Sequence, residues 1–250
     1  MKTNRFIYVV LASIFCIASC VANLEVRKQQ EEASRNLGET YMQKGDYTSA
    51  LRELLKAEKI YSEDPYLQND LGLTYMAKGK QDIAIDHFKK AIKLKPDYSP
   101  ARNNMGTAYM LKKEWDAAIV CFKEVTEDLL YVTPHFPLSN LGWAYYNKKD
   151  YKLAEKYYLD ALKVDPGFVI ALRGLGLTYL KTGKVSEAVI AFEKAVKKAP
   201  QVAVLHFDLA GAYTLLRDYK KAIYSYEKVI ELDKEGPLAN KAKKKLQTLR

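Results

Sequence analysis

The chain has 250 residues, 48% of them hydrophobic, with 40 basic against 30 acidic side chains and a formal net charge of +10. So much apolar material excludes a disordered polar chain and is enough for a large core in one or two domains. Three cysteines, two of them within the first twenty residues, exclude a fold held together by disulfides. The basic residues are interleaved with acidic ones, as in KAEKIYSED and FKKAIKLKPD, which describes a solvated face of mixed sign and not a nucleic-acid stripe.

The amino-terminal MKTNR is short and basic, and residues 6–18, FIYVVLASIFCIA, are apolar throughout. A membrane span needs about 20 such residues. This shorter run suits the hydrophobic core of a secretory signal, with small residues Ala18 and Ser19 at its end. Ile17-Ala18-Ser19-Cys20 resembles the bacterial lipobox. The resemblance implies removal of residues 1–19, diacylglycerol on the Cys20 sulfur, acylation of the new amino terminus, and a tether over residues 20–30. Several acyl chains hold a folded domain on a bilayer where one gives only marginal binding. An ordinary signal peptide with an incidental cysteine, or an uncleaved anchor, are the alternatives. Val21, where an aspartate is absent, implies by the familiar sorting rule a place at the periplasmic face of the bacterial outer membrane.

The body of the chain repeats itself. NLGETYMQKGDYTSAL, DLGLTYMAKGKQDIAI, NMGTAYMLKKEWDAAI, NLGWAYYNKKDYKLAE, GLGLTYLKTGKVSEAV and DLAGAYTLLRDYKKAI align without gaps. Gly38, Gly72, Gly106, Gly142, Gly176 and Ala210 are spaced 34, 34, 36, 34 and 34 apart; a tyrosine follows each after three residues and an alanine nine residues beyond that. The pattern resembles the tetratricopeptide repeat over residues 31–236, as 31–64, 65–98, 99–134, 135–168, 169–202 and 203–236. It implies an all-α fold: a superhelix (α-solenoid) of six helix-turn-helix repeats with a concave groove, closed by a carboxy-terminal capping helix over 237–250.

The residues give physical reasons for that fold. Leu37, Gly38 and Tyr41 share one helical face, with the glycine admitting a neighbouring helix and the tyrosine ring filling the space beside it. Ala50, Leu54 and Ala57 form the facing stripe, and a bulky residue at Gly142 would overpack the crossing. Gly45, Gly79 and Gly183 stand where a first helix ends in a left-handed residue; Lys113, Lys149 and Arg217 replace them at a conformational cost. Asp46, Glu114, Asp150 and Asp218 suit the start of the second helix. Pro96, Pro166 and Pro200 mark its exit and can begin the next segment. Leu238, Ala242 and Leu246 give the last helix an apolar side and leave its lysines outside, as a terminal cap requires. Cys121, on a helical pattern, reads as a small core residue.

No enzyme signature is present. His87, His135 and His206 have no metal-ligand spacing, and HExxH, GxSxG and the phosphate-binding loop are missing. Gly174-Leu175-Gly176 resembles half a dinucleotide fingerprint but lies on the repeat register. The chain therefore reads as a non-enzymatic binding protein without cofactor or metal.

In tetratricopeptide domains the groove is lined from fixed positions of each first helix. Carried over, these positions give Tyr66, Asn69, Leu73 and Met76 in the second repeat, and Pro100, Asn103, Thr107, Met110 and Leu111 in the third. They give Phe136, Ser139, Trp143, Tyr146 and Asn147 in the fourth, Ile170, Arg173, Leu177, Leu180 and Lys181 in the fifth, and Val204 and Phe207 in the sixth. The set is rich in aromatic and apolar side chains, which stay uncovered unless a partner fills the groove or they pack on neighbouring repeats. Asn69, Asn103 and Asn147 offer amides to a peptide backbone. The occupant expected is an apolar or amphipathic polypeptide segment.

Between the third and fourth repeats, TEDLLYVTPHFPLSNLGWAYY carries two extra residues and two prolines, Pro134 and Pro137. With the lipobox leader, the length and six repeats, this stretch resembles the type IV pilus biogenesis lipoproteins, the pilotins. That resemblance implies an outer-membrane lipoprotein that binds a secretin subunit and aids its localisation and multimerisation. A scaffold for other envelope proteins, such as peptidoglycan enzymes, is the alternative.

Overall fold

The computed structural model describes the backbone of residues 2–249 and the side chains of residues 23–249, so Cys20 and the lipidation expected of it lie outside the described side chains. Among the described residues there are thirteen α-helices and no strand. They are α1 (Lys2–Gln43), α2 (Tyr47–Ile60), α3 (Pro65–Ala77), α4 (Gln81–Leu94), α5 (Ser99–Leu111), α6 (Trp115–Thr126) and α7 (His135–Asn147). There follow α8 (Tyr151–Val164), α9 (Val169–Lys181), α10 (Val185–Lys198), α11 (Ala203–Leu215), α12 (Tyr219–Asp233) and α13 (Pro237–Leu249). The helices fall into two compact units, residues 1–112 with α1–α5 and residues 113–250 with α6–α13. Among the described residues no helix is long and apolar enough to cross a membrane.

The first helix of a repeat passes into its partner through a tight turn made of a left-handed residue followed by the N-cap of the second helix. The repeat tyrosine supplies a carbonyl near the end of the first helix: Asp46 N–H donates to Tyr41 O at 3.0 Å while Gly45 N–H donates to Met42 O at 2.9 Å. The same pair recurs at Tyr75, Tyr145, Tyr179 and Tyr213, a Schellman closure that requires a left-handed residue. Gly45, Gly79 and Gly183 provide it at φ 74°, 71° and 76°, and Lys113, Lys149 and Arg217 adopt it at φ 62°, 65° and 63°. The residue after it is the N-cap of the second helix, and its side chain makes a capping bond where it is aspartate but not at Lys80 or Lys184. Asp46, Asp150 and Asp218 accept from the backbone N–H of Ser49, Leu153 and Lys221 at 3.0, 3.0 and 3.2 Å. Glu114, whose side chain is one methylene longer, makes no such cap bond.

Pro96, Pro166 and Pro200 lie just past the ends of α4, α8 and α10, as expected of exit markers, but they do not begin the next helix. Pro96, Pro166 and Pro200 sit second in β-turns closed by Tyr98 N–H to Lys95 O, Phe168 N–H to Asp165 O and Val202 N–H to Ala199 O. Their fixed φ suits that position, and the next helix starts beyond the turn. Other prolines, Pro65 and Pro100, occupy the first helical turn.

Packing within a repeat centres on the small residue of the first helix and the large residue sixteen positions later in the second. A methyl built at Gly38 would meet Leu54 at 2.7 Å, at Gly72 Phe88 at 2.5 Å, at Gly142 Tyr158 at 2.8 Å and at Gly176 Phe192 at 2.6 Å. Leu54, Phe88, Tyr158, Phe192 and Tyr226 are all essentially inaccessible to solvent, and the alanines of the second helices are buried with them. Ala210 packs with Tyr226 in the last repeat, where the methyl fits. Gly174 belongs to the same system: its added methyl would fall 2.2 Å from the Tyr158 ring, so the Gly174-Leu175-Gly176 pair is a double close approach of helices. Cys121 is buried in the apolar core.

Leu37 is 44% exposed, whereas Leu71, Leu141, Leu175 and Leu209 at the same register are buried. Those later leucines are covered by the hairpin before them; among the described residues none precedes α1. At the other end α13 buries Ala239, Ala242 and Leu246, with Leu238 partly covered. Its first turn is capped by Asp233 Oδ2, which accepts from Leu238 N–H at 2.8 Å and Ala239 N–H at 2.9 Å.

Two glycines in neighbouring repeats should respond oppositely to alanine. Gly174→Ala drives a methyl into the immobile Tyr158 ring and should lower the unfolding free energy by about 1–3 kcal/mol. Gly211→Ala meets nothing within 4 Å in α11 and should raise it by up to about 1 kcal/mol through helix propensity. Urea denaturation midpoints of the two variants check both signs.

Candidate functional site

In the unit of residues 113–250 the first helices α7, α9 and α11 lie side by side, and a cavity of about 380 Å³ opens between them. Six positions of the expected groove converge there: Ser139 and Trp143 from α7, Ile170, Arg173 and Leu177 from α9, and Val204 from α11. Helix geometry explains the convergence, since Ser139 and Trp143, like Ile170, Arg173 and Leu177, recur at three- and four-residue steps along one face. Trp143 is 38% and Ile170 60% exposed, so the mouth is apolar and open. Tyr158 lines the cavity from the second helix behind, together with Asn140, Val169, Gly174, Val202 and Leu205. Its hydroxyl is pushed up from its ordinary value by burial and stays neutral.

Ser139, Asn140 and Arg173 interrupt this apolar lining. Ser139 is 2% exposed, and its Oγ has no hydrogen-bond partner. Arg173 Nε donates to Asp208 Oδ2 at 2.6 Å, which ties α9 to α11. Burial raises the Asp208 carboxyl above its usual range, and the guanidinium pulls it the other way.

The remaining expected positions in this unit are otherwise engaged. Tyr146 stacks on Trp143 with ring centroids 5.4 Å apart. Asn147 Nδ2 donates to Trp143 O at 2.8 Å, so its amide serves its own helix. Phe136 joins His135 and Phe168 in an aromatic cluster at 4.6–5.1 Å. Leu180 packs into the core under α10 and α11, and Phe207 packs on Tyr226. Lys181 is exposed.

The unit of residues 1–112 presents a different surface along α1, α3 and α5. Tyr66 is 42% exposed, with Tyr98 edge-on at 5.2 Å and Lys95 donating to its hydroxyl at 2.9 Å. Asn69 is buried, and its Oδ1 accepts from Asn104 Nδ2 at 2.9 Å, so the amide offered on sequence grounds to a peptide already joins α3 to α5. Asn103 Oδ1 is buried without a hydrogen-bond partner, while its backbone carbonyl accepts from Thr107 Oγ1 at 3.2 Å. Leu73 and Met76 are half-buried and pack against the core formed by Ala84, Ile85 and Phe88. Met110 is half-buried, and Pro100 and Leu111 are exposed. Along the expected groove a cavity opens in residues 113–250, while the corresponding positions of residues 1–112 mix bonded amides with the exposed side chains of Tyr66, Pro100 and Leu111.

Asp208 and Tyr158 were not singled out on sequence grounds. The sequence does contain a signal for the first: Arg173 and Asp208 are 35 residues apart, as are Asn69 and Asn104, and Arg35 and Asp70. One residue more than the period places a side chain opposite its neighbour on the next first helix, so polar pairs at that offset mark rungs between repeats. Among the described residues no group of three or more His, Cys, Asp or Glu side chains converges as a metal site. His87 Nδ1 lies 2.7 Å from Gln68 Oε1 and His206 Nε2 2.9 Å from Pro200 O, both inside the packing.

Comparison with known proteins matches models of the TPR repeat at residues 38–79 and 72–113 and of the tetratricopeptide repeat at 139–203 and 203–235. Anaphase-promoting complex subunit 3 of Schizosaccharomyces pombe is 32% identical over 101 residues, which is 40% of this chain but 15% of that protein. The chain thus spans less than a sixth of that relative's length. The crystal structure of PilW, described as a widely conserved type IV pilus biogenesis factor, superposes with a TM-score of 0.79 at 20% identity over 85% of this chain and 98% of that one. PilF of Pseudomonas aeruginosa superposes with a TM-score of 0.76 at 18% identity over 88% of this chain and 99% of that one. At these identities the likeness is one of fold.

The Arg173–Asp208 rung gives a test of the electrostatics. Arg173→Ala leaves a buried carboxylate without its cation and should lower the unfolding free energy at pH 7 by about 1–3 kcal/mol, less than a fully buried pair because Arg173 is partly solvated. The loss should shrink as the pH falls and Asp208 takes up a proton. Urea unfolding of wild type and variant at pH 7 and pH 4.5 measures both.

Proposed function

Because the chain belongs to the tetratricopeptide-repeat family, we propose that it is a non-enzymatic scaffold whose cavity between α7, α9 and α11 holds an apolar or amphipathic segment of a protein partner. The observation that carries this reading is the cavity itself, apolar, open at Trp143 and Ile170, and built from the first helices of three successive repeats. Its volume is in the range of about 300–1,000 Å³ usual for sites that bury a ligand. Exposed aromatic and aliphatic side chains around a pocket are what a bound segment covers, and large aromatics supply much of the binding energy at such interfaces.

We further propose that the protein is a lipoprotein of the bacterial outer membrane, anchored through Cys20 on the periplasmic side. There it would bind a secretin subunit and help it to localise and multimerise for type IV pilus assembly. The leader ending IASC and the irregular segment from Tyr131 to Tyr146 support this, as does the near-complete span of two pilus biogenesis structures. Tethering would concentrate the bound subunit at the bilayer without any added contact.

Trp143→Ala with Ile170→Ser removes the side chains at the mouth, and a double variant shown by circular dichroism to keep the wild-type fold should bind purified secretin subunit at least about tenfold more weakly. Unchanged affinity in a normally folded variant would remove the cavity from consideration. Cys20→Ser should release the protein from the membrane fraction, and deletion of the gene should leave secretin subunits as monomers in envelope extracts.

A further inference from the structure

In the unit of residues 1–112 a single guanidinium stands among four carboxylates. Arg35 on α1 lies 3.9 Å from Glu31 and 2.6 Å from Glu39 on its own helix, 3.3 Å from Asp64 in the turn before α3, and 3.7 Å from Asp70 on α3. Glu31 is 3% and Asp70 9% exposed, and Glu31 Oε1 and Asp70 Oδ2 are buried without a hydrogen-bond partner. The other groups facing the cluster are Glu32 on α1, Tyr66 and Asn69 on α3, and Tyr98 at the start of α5. Nearby cations are committed elsewhere: Lys95 to the Tyr66 hydroxyl and Arg27 to the Ile60 carbonyl.

Four ionised carboxylates around one cation would leave three negative charges uncompensated in a poorly solvated place, which is more costly than neutralising some of them. Burial shows where neutralisation occurs: Glu31 and Asp70 are the least exposed of the four, and each has an oxygen without a hydrogen-bond partner. We propose that the cluster is a proton-operated latch, binding one proton at Glu31 and one at Asp70 and holding α1 against α3 more tightly when both are bound.

The energetics agree with the geometry. Burial, followed by the charge of Asp64, pushes Glu31 up to about 7, with Arg35 opposing. Burial, followed by Glu39, pushes Asp70 up to about 7, again against Arg35. Burial and Asp70 push the neighbouring Tyr98 up to about 12, as an excess of negative charge requires. Each carboxyl binds its proton more tightly when the hairpin is docked than when it is open, where the ordinary values of 4.5 and 3.8 apply. The docked form therefore holds more protons, and its extra stability is complete on the acid side and lost as the pH rises through about 7.

The test uses the full chain. Backbone hydrogen exchange of the amides of residues 31–42, corrected for the intrinsic pH dependence, should report an opening equilibrium about tenfold larger at pH 8 than at pH 6 for each proton released. Glu31→Gln and Asp70→Asn, which mimic the protonated groups, should each remove one such factor, while amides of α9 to α12 stay as in the wild type. Carbon-13 carboxyl resonances of Glu31 and Asp70 in the wild type should titrate near pH 7. Titration of both below pH 5, or exchange in α1 that rises equally in wild type and Glu31→Gln, overturns the proposal; the wild-type titration decides alone if a variant fails to fold.

Discussion

The structure depends on one contact made again in successive repeats: a residue with little or no side chain on the first helix receives a large ring or branched chain from the second. Gly38 with Leu54, Gly72 with Phe88, Gly142 with Tyr158 and Gly176 with Phe192 are the same contact at sixteen-residue separation. It fixes how close the two helices lie and hence which faces remain for the next hairpin. The buried alanines of the second helices follow from it, because helices brought so near leave room for a methyl and no more. Tyr226 against Ala210 shows the tolerance of the arrangement to be about one carbon.

With the helices so placed, the first helices within each unit lie side by side and their outward positions become available for chemistry. The two units use them differently. Residues 113–250 leave aliphatic and aromatic groups around a cavity with one ionic rung, Arg173 with Asp208. Residues 1–112 add two polar rungs, Arg35 with Asp70 from α1 to α3 and Asn69 with Asn104 from α3 to α5. A scaffold built this way can join an apolar recognition surface to a charge-sensitive element without altering the backbone plan.

The period, the helical hairpins and the turn residues were legible because each depends on local chemistry. A left-handed closure selects glycine at 45, 79 and 183, and a cap selects aspartate at 46, 150 and 218. The same register placed Ser139, Trp143, Ile170, Arg173, Leu177 and Val204 on a common surface. What the register does not encode is how far each neighbour reaches. Leu73 and Met76 occupy groove positions by count yet are half covered by packing against the core beside Phe88, and Asn69 is claimed by Asn104. Leu37 fits the buried pattern, but among the described residues no hairpin comes before α1 to cover it. Asp208 and Tyr158 escaped notice because their importance comes from pairing across repeats, which single-repeat alignment hides.

Tyr158 joins these themes. One face of its ring meets Gly142 in its own hairpin, its far end meets Gly174 in the next, and the same side chain forms part of the cavity wall. Architecture and recognition are therefore carried by one residue at the back of the cavity, whereas the exposed mouth at Trp143 and Ile170 bears little structural duty. Descendants of this chain that acquire new clients should diverge at the rim while the tyrosine stays constant, so variability among homologues would trace the specificity and leave the foundation unmarked.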